Sequence, residues 1–119
     1  MTKTVLVVED NPDARELLLI ILAAEGFSVI TAADGQAALN IVRQRTPDLI
    51  LTDIQMPKID GIQLIHRIRE EFQTLVPIVV MTAFDSATAK DALEAGANHS
   101  TTKPMDCKSL VELVKQILK

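Results

Sequence analysis

Apolar residues along this chain gather in short unbroken runs, and the stretches between those runs have helical spacing. Thr4-Val5-Leu6-Val7-Val8, Leu49-Ile50-Leu51-Thr52 (within a strand read over residues 48–52) and Ile78-Val79-Val80-Met81 are the runs, and residues 27–31 read as a second, more mixed strand. A continuous run of this kind, bounded by turn residues, is the pattern of a strand buried on both faces. After the first run, Asn11 is a good N-cap and Pro12 a good first helical residue. Ala14, Leu17, Leu18, Ile21 and Leu22 then recur at helical spacing as the predicted core stripe, and Gly26 ends the helix. Asp34 caps a second helix carrying Ala38, Leu39, Ile41 and Val42, which Pro47 breaks. A loop, Gln55-Met56-Pro57-Lys58-Ile59-Asp60-Gly61, leads into a third helix with Ile62, Ile65, Ile68 and Phe72 on one face. Pro77 opens the fourth strand. Ser86–Ala95 reads as a helix stopped by Gly96, residues 97–102 as a weaker, polar strand, and Asp106 caps a last helix with Leu110, Leu113, Val114 and Ile117.

Five successive βα units with short connections predict an α/β fold, a five-stranded parallel sheet flanked by five helices on its two faces. Right-handed crossovers then bring every strand's carboxyl end to one edge, where ligand chemistry collects beside a topological switch point. The chain has 119 residues, 48% of them apolar, which suits one domain over residues 1–119. Its net charge of −4 gives no basic footprint, so direct nucleic-acid binding is not expected. The apolar stretch from Leu17 to Ala24 is too short to span a bilayer, and the N-terminus lacks a signal core. With a lone Cys107, expected as a surface or half-buried helical thiol, the reading is a cytoplasmic protein with no membrane insertion.

The edge residues carry the chemistry. Glu9 and Asp10 follow the first strand, Asp53 the third, Thr82 ends the fourth, and Lys103 follows the fifth. One edge would therefore hold clustered carboxylates, a hydroxyl and an ammonium. Clustered carboxylates repel one another, and a hard divalent ion with oxygen ligands relieves that. Asp53, at the end of a buried strand, is placed to act as a nucleophile toward phosphorus. Mg2+ held by Asp10 and Asp53, with Glu9 bound directly or through water and the Gln55 main-chain carbonyl, would offset repulsion of an incoming phosphoryl group. Lys103 would supply a point charge to the phosphate and Thr82 a hydrogen bond. Taken singly, each residue has a plainer reading. Asp53 would be a turn residue, Glu9-Asp10 a solvated pair before a cap, Lys103 an exposed lysine, and Thr82 a residue chosen for strand shape.

Five pieces together resemble the receiver domain of the response regulators of two-component signalling. They are Val7-Val8-Glu9-Asp10-Asn11, Asp48-Leu49-Ile50-Leu51-Thr52-Asp53, Met56-Pro57 with Asp60-Gly61, Met81-Thr82-Ala83, and Ala95-Gly96-Ala97 leading to Thr102-Lys103-Pro104. The resemblance covers essentially the whole chain. It implies the flavodoxin-like strand order 2-1-3-4-5. It implies phosphoryl transfer onto Asp53 from a sensor histidine kinase or a histidine phosphotransfer protein. It further implies Mg2+ on Asp10, Asp53 and the Gln55 carbonyl, with Glu9 acting mainly through water, and phosphoryl contacts from Thr82 and Lys103. Such a domain catalyses its own aspartyl phosphorylation and dephosphorylation, and no external-substrate enzyme is expected. The Lys103–Pro104 bond is expected to be cis, an isomer that proline tolerates. The output face would be residues 86–119, contacting an unknown downstream protein, in a stand-alone receiver or in the front of a longer regulator.

The chain departs from that pattern at Ser100, where the family usually has an aromatic ring whose rotation accompanies switching. His99 is adjacent but should face the other side of the strand. Met105 stands where Phe is common, and Phe84 occupies a position linked to acyl-phosphate lifetime, with Gln55 as its companion. In the first helix, Leu19 and Ile20 widen the apolar face and would offer a docking patch to the helical bundle carrying the donor histidine. A magnesium-dependent aspartyl phosphohydrolase is the alternative. Enzymes of that kind place a general acid two positions after the nucleophile, and here that position is Gln55. A nucleotide or flavin carrier would want a glycine-rich loop where Glu9-Asp10-Asn11-Pro12 stands.

Overall fold

The computed structural model describes residues 2–54, 56, 59–72, 74–82, 86–102 and 106–118. The elements alternate as read: β1 (Thr4–Val8), α1 (Pro12–Ala24), β2 (Ser28–Ala32), α2 (Gly35–Gln44) and β3 (Leu49–Asp53). There follow α3 (Gly61–Phe72), β4 (Ile78–Thr82), α4 (Ser86–Ala95), β5 (His99–Thr102) and α5 (Cys107–Ile117). The strands pair in parallel in the order β2-β1-β3-β4-β5. The sequence therefore reverses direction across the sheet at β1 and β3, which lie side by side.

Strand alternation sorts the core into two layers. Leu6, Val8, Ile50, Ile78 and Val80 pack with Leu39 of α2, Leu64, Ile65 and Ile68 of α3, and Ala92 of α4. Val5, Val7, Leu49, Leu51, Val79 and Met81 pack on the other face with Leu22 of α1 and Leu110 and Val114 of α5. Every residue of β1, β3 and β4 is buried as a result, whereas the edge strand β2 is only partly covered. Among the described residues, four helix starts are fixed by side-chain caps. Asn11 Oδ1 accepts from the Ala14 amide (3.0 Å), Asp34 Oδ1 from Ala37 (2.8 Å), Asp60 Oδ1 from Gln63 at the start of α3 (2.8 Å), and Asp106 Oδ1 from Lys108 (3.3 Å). Each such cap is worth about 1 kcal/mol.

Some boundaries and faces differ from the expectation. β2 and β3 each start one residue later, and Asp53 is the last residue of β3 itself. β5 starts at His99 because Asn98 closes the amino edge of the sheet. Its amide donates to the Ile78 carbonyl (2.8 Å), and its Oδ1 accepts from the Ile78 amide (2.9 Å). Arg69 of α3 reaches the same corner. It donates to the Gly96 carbonyl through Nε and NH2 (3.2 and 2.8 Å), to Asn98 Oδ1 (2.9 Å) and to the Thr74 carbonyl (2.8 Å). Burial pushes its pKa down from the ordinary arginine value. Gly96, at φ 124°, leaves the space this guanidinium fills, since a Cβ there would lie 3.0 Å from Arg69 Cγ.

The main correction concerns α1. Leu17, expected in the core stripe, is 53% exposed, and Ile20 is 58% exposed, while Leu22 is fully buried. Leu19, expected on the outer flank, is half-buried. Leu17-Leu18-Leu19-Ile20-Ile21-Leu22 is apolar at every position, so it carries no polar contrast to fix the phase of the buried face. On α3, Leu64 joins Ile65 and Ile68 in full burial, with Ile62 and Phe72 at the margin.

Candidate functional site

The acidic residues meet because β1 and β3 run out at the same level. Val8 pairs with Thr52, so Glu9 and Asp53 emerge from adjacent strands together. The Glu9 amide extends the β1–β2 ladder by one bond, to the Ala32 carbonyl (3.1 Å). Asp10 follows immediately and is exposed, whereas Glu9 and Asp53 are buried. One carboxylate oxygen from each of Glu9, Asp10 and Asp53 lies within 4.8 Å of the others. Carboxylates this close repel, by roughly 3 kcal/mol or more for a charged pair at an effective dielectric constant of about 20.

The donor set is all oxygen, which fits a hard cation such as Mg2+ and not a softer metal that seeks nitrogen or sulfur. The exposed Asp10 leaves one side open to water, which Mg2+ retains in its coordination shell.

The main chain of Asp53 is held from two directions. The Thr52 hydroxyl donates to the Asp53 carbonyl (2.9 Å). Gly61, at the start of α3, donates its amide to the Ile54 carbonyl (2.8 Å) and packs directly on this turn. A Cβ at Gly61 would fall 2.7 Å from Ile54 Cα and would meet the Asp53 carbonyl oxygen, so only glycine fits.

Thr82 sits one residue beyond Met81, the partner of Asp53 in the β3–β4 register, and is buried. Its hydroxyl donates to the Thr101 carbonyl over a long 3.5 Å. Gln55 and Lys103 lie outside the described residues, as do Phe84, Pro104 and Met105. Ser100 is half-buried on β5 opposite Val80, and His99 is exposed. Cys107 is exposed in the first turn of α5.

Arg15 was not singled out from the sequence, where one arginine in a polar helix turn has no distinguishing mark. Its NH1 donates to the Glu9 carbonyl (3.0 Å), and the Asn11 amide donates to Glu9 Oε2 (3.4 Å). The first turn of α1 is thereby laced back onto the acidic corner.

With that geometry in place, likeness to known proteins becomes informative. The response regulator receiver domain model matches residues 5–115. An uncharacterized 14.6 kDa protein from the sodA1 3′ region of Leptolyngbya boryana is 39% identical over 115 residues, covering 94% of this chain and 87% of that one. The DNA-binding response regulator MtrA of Mycolicibacterium smegmatis is 38% identical over 120 residues, all of this chain and 52% of that protein. The chain spans about half the length of most of the curated relatives it matches. Chemotaxis response regulator CheY4 of Vibrio cholerae superposes with a TM-score of 0.92 at 27% identity, over 99% of this chain and 100% of that one. Among the described residues, no helix is long and apolar enough to cross a membrane. An acid trio at the carboxyl edge of a 2-1-3-4-5 sheet, matched by a family model over nearly its whole length, makes this chain a member of the response regulator receiver family of two-component systems.

Proposed function

We propose that residues 1–119 form a single cytoplasmic receiver domain that accepts a phosphoryl group on Asp53, with Mg2+ bound, from a histidine kinase or a histidine phosphotransfer protein. The observation that carries this reading is the meeting of the Glu9, Asp10 and Asp53 carboxylates at the β1–β3 edge. Asp10 and Asp53 would be the direct metal ligands, with the Gln55 carbonyl a third, and Glu9 would act mainly through water. Bound Mg2+ supplies charge neutralisation for the carboxylates and for the phosphoryl oxygens.

The main chain of Asp53 is held by Thr52 and by the close approach of Gly61, so the strand end that carries its carboxylate is fixed. One of its oxygens attacks phosphorus as the phosphorus–nitrogen bond of the donor phosphohistidine breaks. The electron pair leaves with the imidazole, and an acyl phosphate forms on Asp53. Thr82, whose hydroxyl makes a long bond to the Thr101 carbonyl at the end of the neighbouring strand, exchanges that bond for one to a phosphoryl oxygen. Lys103 supplies a positive charge to the same group. With Ser100 in place of a ring, a shift of Thr82 carries the switch, and residues 86–119 present the changed surface to a downstream protein. Direct nucleic-acid binding is not part of this domain's proposed role.

Incubation with acetyl phosphate and Mg2+ tests the reading. The parent protein gains the mass of one phosphoryl group, and Asp53→Asn gains none. Labelling that persists in Asp53→Asn, or continuous release of phosphate from small phosphate esters, contradicts it.

A further inference from the structure

We infer that Arg15 is a positioning residue for the metal-holding corner, acting through the main chain of Glu9. This inference rests on the metal site proposed above. The Glu9 amide makes the last bond of the β1–β2 ladder, to Ala32. Beyond it the ladder stops, and the Glu9 carbonyl needs a donor from elsewhere. Arg15 NH1 provides that donor at 3.0 Å, reaching back from α1. The Glu9 carbonyl and the Asp10 amide share one rigid peptide plane. Holding that carbonyl therefore fixes the plane from which Asp10 departs.

The rest of the corner is tied from the other side. Asn11 gives its amide to Glu9 Oε2, caps α1 through Oδ1, and accepts the Arg15 amide at its own carbonyl (2.9 Å). Asp10 is exposed, so burial does little to hold it. The guanidinium fixes the backbone from which this ligand departs. Charge acts in the opposite sense, because a cation beside the corner disfavours Mg2+. The two effects predict opposite signs, so measurement separates them.

The test uses Mg2+ alone as the probe, followed by amide chemical shifts of the whole chain. Arg15→Met keeps the aliphatic length and removes the donor. Arg15→Lys keeps a charged donor on a slightly shorter stem. Positioning predicts Mg2+ affinity about tenfold weaker in Arg15→Met, the scale seen when outer supports of metal ligands are removed. It also predicts recovery to within a few-fold of the parent in Arg15→Lys. Thermal unfolding in EDTA, recorded in parallel, separates loss of metal affinity from general destabilisation. Unchanged or tighter binding by Arg15→Met overturns the inference, as does equal loss in both variants. A parent protein whose Glu9, Asp10 and Asp53 amides ignore Mg2+ removes the metal site itself, and Arg15's role with it. A responsive parent with an unaffected Arg15→Met variant removes only the role of Arg15.

Discussion

At the scale of single residues, the site depends as much on what is missing as on what is present. Gly61 has no side chain because the Asp53–Ile54 backbone occupies the space a Cβ would take. In Gly61→Ala the β3–α3 corner must shift, at a cost of about 1–3 kcal/mol. Urea denaturation should show that loss, and phosphorylation by acetyl phosphate should slow because the backbone of the acceptor moves. An alanine variant with parental stability and rate would mean that the turn yields without disturbing Asp53. The acids themselves were legible in the sequence, since they follow short apolar runs with the pattern of buried strands. Arg15 and Arg69 were not. A long cation's partners depend on which loops the fold brings within its reach, and the peptide carbonyls of Glu9, Gly96 and Thr74 that these two bind leave no mark in the sequence. Thr52 was read only as part of a strand, although its hydroxyl holds the Asp53 carbonyl.

At the scale of elements, β1, β3 and β4 declared themselves because burial on both faces leaves no room for polar residues. The later start of β5 was hidden because Ala97 and Asn98 bond as a turn and a side-chain bridge. α1 is the instructive failure. Its buried face could not be phased from six consecutive apolar residues, and the structure turns Leu17 and Ile20 outward. These two large apolar side chains, three residues apart, lie on one exposed side of the helix that begins at the acidic corner. A helical bundle presenting a phosphohistidine to Asp53 would cover that side. Ile20→Lys should therefore slow phosphoryl transfer from the cognate kinase several-fold while leaving labelling by acetyl phosphate intact. Equal rates from the kinase would place docking elsewhere.

For the molecule as a whole, topology does the assembling. Residues 9 and 10 are distant in sequence from residue 53, and they meet it because the chain reverses its progress across the sheet between β1 and β3. The two core layers hold these strands from both faces, so the acid trio stands on a rigid edge. Partner choice and output, proposed for surfaces of α1 and of residues 86–119, are not encoded in the alternation of strands and helices. The claim that joins these scales is that one edge holds both the metal and the phosphoryl acceptor. A crystal structure of the chain soaked with Mg2+ and beryllofluoride addresses it most directly. The account predicts a beryllofluoride group on a carboxylate oxygen of Asp53, with Mg2+ within ligand distance of both Asp10 and Asp53. An adduct on any other residue, or a metal ion bound without Asp53, would contradict it.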